Sequence, residues 1–141
     1  GVQILPNQSL EIERDGERLT IIGIEDPLMG KEPQQMLDEA MATVDDKSFK
    51  ILLSHRPEIF ETYVENAVDV VFTGHAHGGQ IRLPFSDGLF APGQGWFPSQ
   101  TSGVHEADET RMVVSRGLGN SVLQQRLFNL PEIVVVDLKS Q

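Results

Sequence analysis

Residues 49 to 72 constrain this chain more than any other stretch. Phe49 to Leu53 is a short apolar run with strand character, and Val68 to Phe72 is a second, β-branched and aromatic one. Between them, Pro57 to Asn66 places Ile59, Phe60, Tyr63 and Val64 on one helical face. A strand-helix-strand crossover of this size makes its two strands parallel and its connection right-handed, so both strands finish on the same side of the sheet. Loops at that edge are where α/β proteins build their sites.

The flanking segments extend the sheet. Leu10 to Arg14 and Arg18 to Ile24 alternate around Asp15-Gly16, a dipeptide that tolerates positive φ, which predicts a β-hairpin. From Glu32 the period changes. Pro33 suits a first helical turn, and Met36, Leu37, Ala40, Met41 and Val44 share one face of a helix of about three turns. Asp45 and Asp46 stand where the helix dipole disfavours anions, which fits the helix stopping there. Val104 and Met112 to Ser115 flank a polar turn, and Ile133 to Leu138 reads as a final Val-rich strand. The expected class is α/β, a mixed sheet with helices packed on it.

Composition narrows the chemistry. The 141 residues make about one domain, and no run of 18 apolar residues offers a membrane span. Eleven Lys and Arg against 21 Asp and Glu give a net charge of −10, which excludes a basic surface cradling nucleic-acid phosphates. The charge is uneven: residues 11 to 47 hold 11 acidic and 4 basic side chains, whereas Thr73 to Val104 contains Arg82 and Asp87 as its only charges of those types. With no cysteine, a metal would be held by His, Asp, Glu or Asn. The chain starts at Gly1 with nothing resembling a signal peptide, so a boundary inside a longer protein is expected, and the sequence fixes no compartment.

Three of the four histidines follow the two parallel strands: His55 after the first, His75 and His77 after the second. Neighbouring strands lie about 4.8 Å apart, so imidazoles at their ends can meet metal ions at roughly 2.0 to 2.2 Å. One such histidine is more often an ordinary hydrogen-bonded residue; three at one edge, among Gly74, Gly78 and Gly79, point to a metal site. The His75-x-His77 spacing suits one ion or two. His105 lies beside Glu106 to Glu109, where charge pairing explains it.

Leu53-Ser54-His55-Arg56-Pro57 followed by Thr73-Gly74-His75-Ala76-His77-Gly78-Gly79-Gln80-Ile81 resembles the second half of calcineurin-like metallophosphoesterases. The similarity continues through Arg82-Leu83-Pro84, Ala91-Pro92-Gly93, Ser115 to Asn120 and Asn129-Leu130-Pro131-Glu132, which resemble a bacterial phosphodiesterase branch that is often membrane-associated. The resemblance implies a four-layer α/β/β/α fold and two divalent metal ions, Mn, Fe or Zn, that hydrolyse phosphoesters, more specifically phosphodiesters. By motif position, His55 and His75 ligate one ion and His77 the other.

The family's first-half motifs, Asp-x-His, Gly-Asp-x-x-Asp and Gly-Asn-His-Asp, do not occur here. Ile24-Glu25-Asp26-Pro27 follows a strand without matching the bridging motif, and Asp69 lies inside the second parallel strand. Residues 1–141 therefore read as one partial domain, the C-terminal half of a catalytic domain, inactive alone and prone to self-association through cut sheet edges. A non-catalytic metal-binding or scaffold piece is the alternative. Arg56, Arg82 and Arg116 are candidates for phosphate contact, Arg82 and Arg116 being the substrate-binding pair, with structural ion pairing the commoner role for each. Phe90, Trp96 and Phe97 wall a pocket or pack as core or lid.

Overall fold

The computed structural model describes residues 1–83, 87–120 and 125–139, so Pro84 lies outside the described residues. Strands β1 (Gln8–Arg14) and β2 (Glu17–Gly23) form the expected hairpin, with Arg14 opposite Glu17. Asp15 and Gly16 both take positive φ, 54° and 85°, the pairing whose twist suits a two-residue hairpin loop. Helix α1 (Pro33–Met41) follows, buries Met36, Leu37 and Ala40, and lies against β1 and β2. It is shorter than the periodicity suggests, since Val44 sits beyond it in a turn, its N–H donating to the Met41 carbonyl.

Strand β3 (Phe49–Leu53), a 3-10 turn at Pro57–Ile59, helix α2 (Phe60–Glu65) and strand β4 (Val70–Thr73) make the crossover unit. Strands β3 and β4 pair in parallel, Ile51 beside Val70. Asp69 precedes β4 rather than lying in it. Its carboxylate accepts from the Lys50 N–H at 2.6 Å, at the amino edge, away from the histidines.

Beyond a small hairpin of β5 (Phe90–Ala91) and β6 (Gly95–Trp96), strands β7 (Gly103–Ala107) and β8 (Thr110–Val114) complete a six-stranded sheet ordered β1-β2-β3-β4-β8-β7. The four central strands run parallel, and antiparallel β1 and β7 flank them. The fold is therefore α/β with a mixed sheet. Register lines up Ile22, Leu52, Val71 and Met112 in one row across the parallel strands, all fully buried in the same cluster as Phe60 and Tyr63 of α2. Each such side chain stabilises by roughly 1.5 to 3 kcal/mol relative to exposure, so this row fixes where the four strand ends fall. Those ends, Gly23, Leu53, Thr73 and Val114, open onto one edge.

One expectation is corrected here, and one open alternative is closed. Ile133 to Leu138 is not a strand: it runs without regular structure, with Ile133 and Val135 more than three-quarters exposed. A β-branched run expresses fit to a pleated, half-buried surface, and among the described residues no strand pairs with this one to supply it. The aromatic cluster is not core either. Phe90 and Trp96 pair edge-on at 5.5 Å, but Trp96 and Phe97 are largely exposed. Among the described residues no helix is long and apolar enough to cross a membrane.

Candidate metal and phosphate site

The loops leaving β2, β3 and β4 bring Asp26, His55, Arg56 and His75 together. Asp26 lies three residues past β2, His55 and Arg56 two and three past β3, and His75 two past β4. Arg56 is the hub. Its Nε donates to Asp26 Oδ2 at 2.8 Å and its Nη2 to Asp26 Oδ1 at 2.9 Å, a two-pronged carboxylate contact. Its Nη1 donates to Glu58 Oε1 at 3.2 Å and to His75 Nε2 at 2.8 Å.

The backbone of Arg56 is pinned as well. Buried Tyr63 donates from its hydroxyl to the Arg56 carbonyl at 2.7 Å and so accepts from Ser54 Oγ, also at 2.7 Å. Burial pushes the Tyr63 phenol well above its ordinary value, which keeps it a donor.

His75 Nδ1 stands 2.9 Å from His55 Nε2, the rings meeting edge-on with centroids 4.6 Å apart. Because a guanidinium only donates, His75 must offer its Nε2 lone pair to Arg56. A neutral His75 then carries its proton on Nδ1 and gives it to His55 Nε2. Burial first, then the positive charge of Arg56, lower the His75 pKa and favour that neutral ring. Asp26 is also lowered, chiefly by its hydrogen bond from Arg56, and stays ionised.

The facing nitrogens match the span of two donors each about 2.1 Å from one ion at near a right angle. Among the described residues, however, no group of three or more His, Cys, Asp or Glu is arranged to hold a metal ion. The pair fits part of a coordination shell, and further oxygen or nitrogen donors are needed to close it. His77 lies on a left-handed turn, with its Nδ1 buried and without a hydrogen-bond partner.

Both candidate substrate arginines touch that turn at Gly78. Arg82 Nη1 donates to the Gly78 carbonyl at 3.3 Å and to the hydroxyls of Thr101 and Ser102, while Nη2 pairs with Asp87 at 3.2 Å. A Cβ on Gly78 would lie 2.9 Å from Arg116 Cδ, and the Arg116 guanidinium is paired with Glu132. All three arginines are thus ion-paired. His105 bonds through Nε2 to the Ser102 carbonyl at 3.2 Å, not to the acidic turn, whose Glu106 pairs with Arg111 instead.

Sequence reasoning passed over Asp26 as a site member. The signal for it was the parallel pairing of β2 with β3, which puts the residues after Gly23 on the same edge as His55.

The chain is 33% identical over 126 residues to an uncharacterized metallophosphoesterase, YkuE, of Bacillus subtilis, covering 89% of this chain and 42% of that protein. It is 27% identical over 138 residues to phosphodiesterase YaeI of Escherichia coli, 98% of this chain and 48% of the relative. It is 29% identical over 146 residues to UDP-2,3-diacylglucosamine pyrophosphatase LpxG of Chlamydia muridarum, covering 95% and 40%. The chain spans about half the length of the curated relatives it matches. No family model and no solved structure matches it.

Proposed function

We propose, for a chain that belongs to the metallophosphoesterase superfamily, that the whole protein hydrolyses phosphoesters, more specifically phosphodiesters, with two divalent ions. In this reading residues 1–141 are the C-terminal part of a four-layer catalytic domain, His55 and His75 hold one ion, and His77 holds the other. The observation that carries it is the pair of facing imidazoles at the shared edge of two parallel strands. The names of the relatives, a phosphodiesterase and a pyrophosphatase, support a substrate that reacts at phosphorus.

When bound, Mn, Fe or Zn would supply Lewis acidity to the phosphoryl oxygens and to water. The chain's own residues do the rest. His55 and His75 supply ring nitrogens as donors; Arg56 neutralises Asp26 and Glu58 and holds the His75 ring only until an ion displaces it. Arg82 and Arg116 stand beside the His77 turn and reach a substrate phosphate by exchanging Asp87 and Glu132 for it.

The test is Mn-dependent hydrolysis of a chromogenic phosphodiester by the full-length protein. His75→Ala and His77→Ala should each lower kcat by at least about a hundredfold, within the range that metal and electrostatic catalysis contributes; undiminished turnover in both variants overturns the reading. A second reading, a metal-binding or scaffold piece without chemistry of its own, is favoured by the incomplete donor set. Calorimetric titration with Mn separates the two, since two ions bound tightly per chain exclude a scaffold. Self-association of the isolated 141 residues is part of the proposal, supported by the exposed apolar side chains from Phe128 to Leu138, and a single monomeric species in sedimentation contradicts it.

A further inference from the structure

We infer that Asn129 is a positioning residue, its carboxamide clamping the left-handed turn that carries His77; the inference rests on His77 being a ligand. The turn is unusual from its dihedrals alone. His77, Gly78, Gly79 and Gln80 all have positive φ, 47°, 67°, 71° and 59°. For residues with a Cβ this region costs roughly 1 to 2 kcal/mol each, so His77 and Gln80 stay there only if something outside the turn holds them.

Asn129 is that group. Its Nδ2 donates to the His77 carbonyl at 2.6 Å and to the Gln80 carbonyl at 3.1 Å, so one amide uses both hydrogens on the two ends of the turn. These contacts span 52 and 49 residues of sequence. Neighbouring backbone delivers the side chain: Ile81 and Leu127 form a parallel bridge, with the Arg82 N–H donating to the Leu127 carbonyl at 3.0 Å. Asn129 is 1% exposed.

Shape agrees with the hydrogen bonds. A Cβ on Gly78 would lie 2.2 Å from Asn129 Oδ1 and 2.8 Å from its Cγ, so the amide packs against the turn where only hydrogen leaves room. The clamp is also selective. It grips backbone carbonyls and leaves the imidazole alone, for His77 Nδ1 is buried and has no partner. An imidazole aimed by its backbone keeps that nitrogen for another use.

The experiment compares histidine ring 15N signals and amide hydrogen exchange in the metal-free parent and in Asn129→Asp, a near-isosteric change that removes both donors. The His77 ring signals should move, Gly79 and Gln80 amides should exchange about tenfold faster, and the His55 and His75 rings should keep their positions. Gly78→Ala, which pushes the amide away from the other side, should reproduce the same pattern if Asn129→Asp does not fold. Unchanged His77 signals in a folded variant overturn the inference, as does an equal shift of all three rings with general loss of stability. Failure of the ligand reading registers elsewhere, as a Mn titration of His77→Ala that matches the parent.

Discussion

His75 and His77 are two residues apart, yet they are held by different physics. The His75 ring is gripped by a charge network: Arg56 joins it to Asp26 and Glu58, with all three charged side chains less than a quarter exposed. His77 is held through its backbone by a neutral amide, and its ring Nδ1 is left unpaired. Bracing by charge fixes a side chain together with the position of its proton; bracing by an amide fixes only where the side chain starts. One short motif can therefore present one imidazole already committed and another with a buried nitrogen still unpaired.

Several variants would break or sharpen that contrast. Arg56→Ala should have the largest effect, about 3 kcal/mol off the unfolding free energy, because it strands two partly buried carboxylates; urea denaturation measures it. Gly78→Ala follows at about 2 kcal/mol, from positive φ and the clash with Asn129. Equal losses from Arg56→Ala and Asn129→Ala would erase the distinction between the two braces.

Acid comes next. The His75 pKa is lowered in the folded state, so the unfolded chain binds more protons there, and stability rises with pH across that window. Unfolding midpoints of chelator-treated protein should therefore fall as pH drops below about 6.5, the ordinary histidine value. Asp26, also lowered, adds a further decline below its ordinary value of 3.8. His75→Gln should flatten the first decline and leave the second. The smallest effect is that of salt. At 1 M, where screening acts over about 3 Å, the His55 and His75 ring signals should shift slightly while those of His77 stay in place.

Much of this arrangement was legible from residue order. The Asp15-Gly16 hairpin and the 49–72 crossover follow from turn chemistry and periodicity, and parallel pairing put His55 and His75 on one edge. Asp26 was less legible because its place depends on β2 lying parallel to β3, a non-local pairing that alternation within β2 does not encode. The Asn129 clamp leaves no periodic trace at all, since its partners are about fifty residues upstream. Ile133 to Leu138 misleads for the opposite reason: local β preference is strong there, but strand structure is a property of pairs.

The guanidinium of Arg56 has one more consequence. A cation taking His75 through Nε2 would need the lone pair that Arg56 now occupies; one taking it through Nδ1 would send the ring proton to Nε2, pointing it at a group that can only donate. On either route the arginine must let go, so under the proposed reading a bound ion and the Arg56–His75 contact exclude each other.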